Sequence, residues 1–200
     1  MNISGIILLI LLSFSLHGQS WDPALLEKAN TAENVRYLSE DEKKVIFYTN
    51  LARLDGQLFA ETYLQWFLDS TQARTNNYIR SLQKELKKVK NLPVLYPQND
   101  LFNVARDHAI RSGKSGHEGH RGFKQRFKPL MQNYAYVGEN CYYGKEDPVV
   151  IVVKLLIDEG VKDLGHRHNM LEPSFNSVGV AIKPHKQYGY NCVMDFGAKR

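Results

Sequence analysis

Apolar residues through the middle of this chain recur at helical spacing, and towards its C-terminal end they gather into short β-rich runs. Ser39-Glu40-Asp41-Glu42 has the pattern of a capping box, with acids in the first turn. Val45, Ile46, Leu51 and Ala52 follow, so a helix is expected from Glu40 to Leu54, ended at Asp55-Gly56. Leu58, Phe59, Tyr63, Trp66 and Phe67 keep the spacing and predict a second helix or a continuation. Tyr78, Leu82, Leu86 and Val89 form an apolar stripe among lysines, on a helix that stops before Pro93. Asn99 is the candidate cap of the next helix, whose buried stripe is Leu101, Val104, Ala105, His108 and Ala109.

Gly113 to Gly122 carries four glycines and is expected to be irregular. Val149 to Ile157 is apolar enough for a buried strand or a buried helix. Asp147 as a cap and Pro148 at the first helical position assign it to a helix. Ser177 to Ile182 and Tyr190 to Phe196 are the expected strands, joined by a loop over 183–189. Helices first and strands last give an α+β class, with helices packed on an antiparallel sheet.

The N-terminal end follows a different rule. Met1 to Ser20 lacks Asp, Glu, Lys and Arg, and Ile6 to Leu12 is an unbroken apolar run. That run is about half the ~20 residues a membrane-spanning helix needs. Gly18-Gln19-Ser20 supplies small residues for cleavage before Trp21. Residues 1–20 therefore form an expected secretory signal peptide, with no transmembrane segment left after its removal. Residues 21–38 are polar and weakly periodic, an expected arm ahead of one domain over 39–200.

Composition narrows the classes further. The 200 residues are 43% hydrophobic and 24% charged, which suits a globular domain and no disordered or polytopic membrane chain. Lys and Arg number 26 against 21 for Asp and Glu, and this excess is spread along the chain, so no nucleic-acid partner is expected. In an oxidising compartment, Cys141 and Cys192 are the one candidate disulfide, closing a loop of about fifty residues worth about 3–4 kcal/mol. Two free buried thiols are the other reading.

Candidate chemistry lies in His117-Glu118-Gly119-His120, Gly138-Glu139-Asn140, Asp158-Glu159-Gly160 and His166-Arg167-His168. Imidazoles in glycine-rich loops can be aimed at a divalent ion. An acid at the end of a helix opposes the macrodipole and needs another reason to be there. No nucleophile elbow, P-loop or HExxH motif is present.

In the order His117, Gly138-Glu139-Asn140, Asp158, Gly165-His166-Arg167-His168-Asn169-Met170-Leu171, Pro173, Phe175, Val178-Gly179-Val180, these segments resemble the CAP superfamily. Its members include the cysteine-rich secretory, antigen 5 and pathogenesis-related proteins and many bacterial relatives, all built on the SCP domain. The resemblance spans about Glu40 to Phe196. It implies a three-layer α-β-α sandwich with a central antiparallel sheet and a surface cavity lined by two histidines and two acids. Carried over, these are His117, Glu139, Asp158 and His166, whereas His120 and His168 have no cavity role. Asp158 stands where most relatives have Glu, Leu155 where a Trp is usual, and Cys141 just after the Glu139 triplet rather than before it.

What the resemblance implies about function is a secreted protein, extracellular or periplasmic. Its ligand would be a lipid, a sterol-like molecule, a glycan or another protein. His117 and His166 would hold Zn2+ or another divalent cation weakly, since two protein ligands are one fewer than a catalytic zinc site uses. The alternative is a metal-dependent, peptidase-like hydrolase with Glu139 or Asp158 as general base.

Overall fold

The computed structural model describes residues 20–200, so the expected signal segment lies outside the described residues apart from Ser20. Asp22 caps a short helix, α1 (Pro23–Ala29), through its side chain and has Pro23 at the first helical position. The expected arm is thus folded onto the body. Ala29 and Ala32 are buried, and Asn50 Nδ2 donates to the Ala29 carbonyl at 3.0 Å. A short run holding two alanines that fit flat against a neighbour shows little periodicity, which is why the pattern alone missed it.

Helix α2 (Glu40–Leu54) starts where the capping box places it. Ser39 Oγ accepts from Glu42 N–H at 3.3 Å, and Glu42 Oε2 accepts from Ser39 N–H at 2.8 Å. The other Glu42 oxygen accepts from Ile182 N–H and Lys183 Nζ, both at 3.0 Å, which ties α2 to the sheet. The expected continuation is α3 (Gly56–Phe59), a π-helical turn (Ala60–Leu64) and α4 (Gln65–Thr71). Then come α5 (Asn77–Leu86), β1 (Tyr96–Pro97) and α6 (Asn99–Ser115). Asn99 is the first residue of α6 rather than its cap; Gln98 holds the cap position and makes no side-chain bond there.

The second half runs α7 (Phe123–Phe127), a 3-10 turn, β2 (Tyr134–Gly144), α8 (Pro148–Ile157), α9 (Gly165–Leu171), β3 (Ser177–His185) and β4 (Gly189–Lys199). Asp147 caps α8 as expected, its side chain accepting from Val150 N–H at 3.0 Å. The two C-terminal strands are longer than the pattern suggests and leave only residues 186–188 to turn. The Glu139 triplet lies in the middle of β2.

Strand order is β1-β3-β4-β2, antiparallel except for the two-residue β1, which runs parallel to β3. Helix α6 covers one face, where a Cβ on Gly179 would meet the Leu101–Phe102 backbone. Helices α2, α8 and α9 contact the sheet from the other face, where a Cβ on Gly138 would strike Asn169 Oδ1 at 2.8 Å. The expected three-layer α-β-α sandwich is present.

The register separates the two cysteines. Cys141 pairs with Val193, and Tyr142 pairs with Cys192. Successive side chains leave a strand on opposite faces, so Cys141 and Cys192 point away from each other through the sheet. Both are free and buried. The expected disulfide is therefore corrected to two thiols, because opposed Cβ vectors cannot be bridged.

Candidate functional site

Strand β2 is an edge strand, and the two halves of the site meet over it from opposite faces of the sheet. Glu139 leaves towards the α6 face. Its Oε2 accepts from Arg126 Nη1 at 2.6 Å, and its Oε1 accepts from Arg126 Nη2 at 2.9 Å and pairs with His120 Nδ1 at 2.9 Å. Burial alone would raise this carboxyl. The hydrogen bonds from His120 and Arg126, with the Arg126 charge, outweigh burial and hold it near a pKa of about 2.

The loop that carries His120 is pinned at Gly119. Gly119 N–H donates to Tyr143 Oη at 2.7 Å, and the Gly119 carbonyl accepts from His108 Nε2 at 2.9 Å. Gly119 sits at φ +81°, which suits glycine.

Asp158 builds the second half. It ends α8 in the left-handed region, at φ +57°. Its Oδ2 accepts from the backbone N–H groups of His166 and Arg167, at 2.9 and 3.3 Å, and its Oδ1 pairs with His166 Nδ1 at 2.7 Å. The acid that looked misplaced at one helix C-terminus therefore serves the N-terminus of the next, where negative charge is favoured. Arg167, fully buried, donates to the Leu156 and Ile157 carbonyls at 2.7 and 2.9 Å and so closes the end of α8. Asn140 Nδ2 donates to the His166 carbonyl at 2.9 Å, and Asn169 Nδ2 donates to Asn140 Oδ1 at 2.9 Å. Both asparagines of the recognised segments thus lock α9 to β2.

The rings of His120 and His166 lie with centroids 6.3 Å apart. Each is held at Nδ1 by a buried carboxylate, so Nδ1–H is the donor and Nε2 carries the free lone pair. A carboxylate fixing the far side of an imidazole is the usual support of a metal-ligating histidine. In donor chemistry, a divalent ion would find in His120 and His166 two imidazoles, each backed by a carboxylate.

His117 does not join this arrangement. It is exposed, and its carbonyl accepts from His185 Nε2 at 3.3 Å. It lines a separate cavity of about 440 Å³ with His108, Arg111 and Arg126. The structure thus brings together His120, Glu139, Asp158 and His166 and leaves His117 outside. His117 and His120 are three residues apart in a glycine-rich loop without periodicity, so no sequence signal separated them.

A larger cavity of about 670 Å³ opens beside Asp158 and His166. Phe67, Ile79, Leu155 and Ile157 give it an apolar wall, and Arg74 and Lys154 also line it. Leu155, at the position where a Trp was usual, contributes to that wall.

Beneath the Glu139 half, His108, Glu139 and Cys141 bring ligand atoms within 4.8 Å of one another. His108 Nε2 donates to the Gly119 carbonyl, burial foremost lowers the His108 pKa, and burial pushes the Cys141 thiol well up. A cation held by these groups would have to displace the Cys141 proton and the His108–Gly119 hydrogen bond. Asp195 lies opposite Glu139 in the register, fully buried, and neither of its oxygens has a hydrogen-bond partner. Burial, and then the Glu139 charge, raise its pKa well above the ordinary carboxylate value.

Among the described residues no helix is long and apolar enough to cross a membrane. A family model described as "Cysteine-rich secretory protein family" matches residues 72–196. Among solved structures, an extracellular protein containing an SCP domain from Bacillus anthracis matches with a TM-score of 0.43 at 21% identity, over 55% of this chain and 35% of that one. An outer surface protein from Borrelia burgdorferi gives 0.46 at 19% identity, over 70% of this chain and 96% of that one. A cysteine-rich secretory protein from Staphylococcus aureus gives 0.44 at 20% identity, over 62% and 38%. The chain spans little more than a third of the Bacillus and Staphylococcus proteins. No curated protein matches.

Proposed function

We propose that this chain, which belongs to the cysteine-rich secretory protein family, is an exported binding protein for a small ligand with an apolar body and a polar head. The observation that carries this reading is the cavity of about 670 Å³ with its apolar wall on one side and the Asp158–His166 pair on the other. A volume of that size falls in the range of small-molecule sites, where a few polar groups orient a largely apolar ligand. Lipid-class molecules match this division best, with Arg74 and Lys154 suited to an anionic head. His120 and His166 would hold a divalent ion such as Zn2+ weakly through Nε2, with Glu139 and Asp158 as the orienting carboxylates. When bound, such an ion polarises an oxygen of the ligand.

The hydrolase alternative with Glu139 or Asp158 as general base finds neither carboxylate unengaged. Glu139 spends both oxygens on Arg126 and His120, and Asp158 spends both on α9 and the His166 ring. A general base needs an unengaged basic atom within reach of the proton it takes.

Native mass spectrometry of the exported protein tests the binding reading. A lipid-sized mass released on denaturation is expected. Ile79→Glu, which places a charge in the apolar wall, should abolish that carried mass. A bare wild-type chain that also fails to take up added fatty acid would overturn the reading.

A further inference from the structure

A third cavity lies away from the His/acid site, beside the helices that precede the family-matched segment. It measures about 540 Å³ and is lined by Trp21, Tyr48, Tyr63, Trp66, Thr62 and Asp147. Asp147 and Val149, which also lines it, fall within residues 72–196, and the aromatic lining residues precede that segment.

Its construction is specific. Trp21 Nε1 donates to Thr62 Oγ1 at 3.3 Å and fixes the indole ahead of α1. The Tyr63 ring packs against Trp21 with centroids 6.1 Å apart and meets Tyr48 edge-on at 4.9 Å. Thr62 and Tyr63 lie in the π-helical turn Ala60–Leu64, a local geometry that is rare and concentrates at functional sites. Trp66 follows one turn later and is 49% exposed, a large aromatic surface left in water beside a cavity rather than under it. Asp147 completes the wall. One of its oxygens caps α8, and the other takes no part in that bond. Lys44, whose charge reaches Tyr48, is drawn towards Asp41 at 3.6 Å.

We propose that this cavity binds an organic cation, a choline-type alkylated ammonium, between the aromatic faces and the Asp147 carboxylate. Ring faces carry the negative end of the aromatic quadrupole and attract a weakly hydrated cation, and clustered Trp and Tyr rings recognise quaternary ammonium groups in this way. A carboxylate at the rim adds charge complementarity that a purely apolar ligand would not use. The inference stands independently of the ligand proposed for the His/acid site.

The chain supplies its own probe, because Trp21 and Trp66 are its only tryptophans and both line this cavity. Choline chloride, titrated at constant ionic strength with sodium chloride as the blank, should change tryptophan emission saturably. The neutral isostere 3,3-dimethyl-1-butanol should bind at least about tenfold more weakly. Asp147→Asn keeps an efficient helix cap while removing the charge, and it should weaken choline about tenfold. Trp66→Leu, at an exposed position, should keep the fold by circular dichroism and lose the affinity. Co-sedimentation with phosphatidylcholine vesicles but not phosphatidylglycerol vesicles would assign the cation to a lipid headgroup. Saturable binding of free choline without vesicle binding would assign it to a soluble ligand. Equal affinity for the neutral alcohol, or no response to choline in a folded protein, would overturn the proposal.

Discussion

Asp158 grips His166 twice, accepting from its backbone N–H at 2.9 Å and from its ring Nδ1 at 2.7 Å. Asp158 thereby ends α8 through its left-handed backbone, and its carboxylate starts α9 and sets the ring orientation. Asp158→Ala removes all three functions and places alanine at φ +57°. It is expected to destabilise the chain by about 2–4 kcal/mol in urea denaturation. Asp158→Asn tolerates that backbone and keeps one acceptor, so it should lose less than half as much.

This pair also explains why a shorter acid suffices here. The left-handed residue at the end of α8 carries the Asp158 carboxylate directly under the first turn of α9, so no further methylene is needed to reach the His166 ring. The sequence flagged Asp158 through its clash with the helix dipole. It could not show that the compensating N-terminus lies only eight residues away.

Arg126 and Glu139 make a buried, bidentate pair, with the Arg126 side chain 10% exposed and the Glu139 side chain fully buried. Arg126→Met leaves that carboxylate without its cation and should cost about 3–5 kcal/mol. Adding Glu139→Gln should recover part of the loss. A double-mutant cycle measured by chemical denaturation reads the coupling directly.

Asp195 sets a pH dependence of opposite sign to the usual acid limb. Its pKa is raised in the folded chain, so the folded state keeps a proton that the unfolded state releases above about 3.9. Stability drawn from Asp195 is full below that pH and declines as pH rises towards the raised pKa. Between pH 5 and 8, Asp195→Asn should therefore gain stability relative to wild type as pH increases. A parallel pair of curves would show that Asp195 is already ionised in the native protein.

The two thiols should behave as buried groups on opposite faces of a sheet. Ellman's reagent is expected to find two thiols in denaturant and to react slowly with the native protein. Reduced and unreduced samples should melt at the same temperature. A mass two protons lower in the unreduced protein would contradict the register of Tyr142 with Cys192.

Much of the helical frame was legible because its signals are local. Ser39 with Glu42, and Asp147 with Pro148, each declare a helix start within four residues. Strand β2 was not legible, because an edge strand interrupted by Gly138, Glu139 and Asn140 looks like a turn until its partner β4 is known. The short α1 carries too few apolar positions to show a period. Within the site, Glu139, Asp158 and His166 stood out by their motifs. Arg126 and Asp195 did not, since their roles depend on partners thirteen and fifty-six residues away in sequence. The choice of His120 over His117 rests on how Gly119 bends, which depends on Tyr143 and His108.

In the proposed divalent-ion site, His120 and His166 act together, oriented by Glu139 and Asp158. Calorimetric titration of zinc into wild type, His117→Ala, His120→Ala and His166→Ala at neutral pH tests it most directly. Wild-type affinity is expected in His117→Ala, and at least about tenfold weaker binding in each of the other two. Zinc binding that survives His120→Ala but disappears in His117→Ala would contradict it.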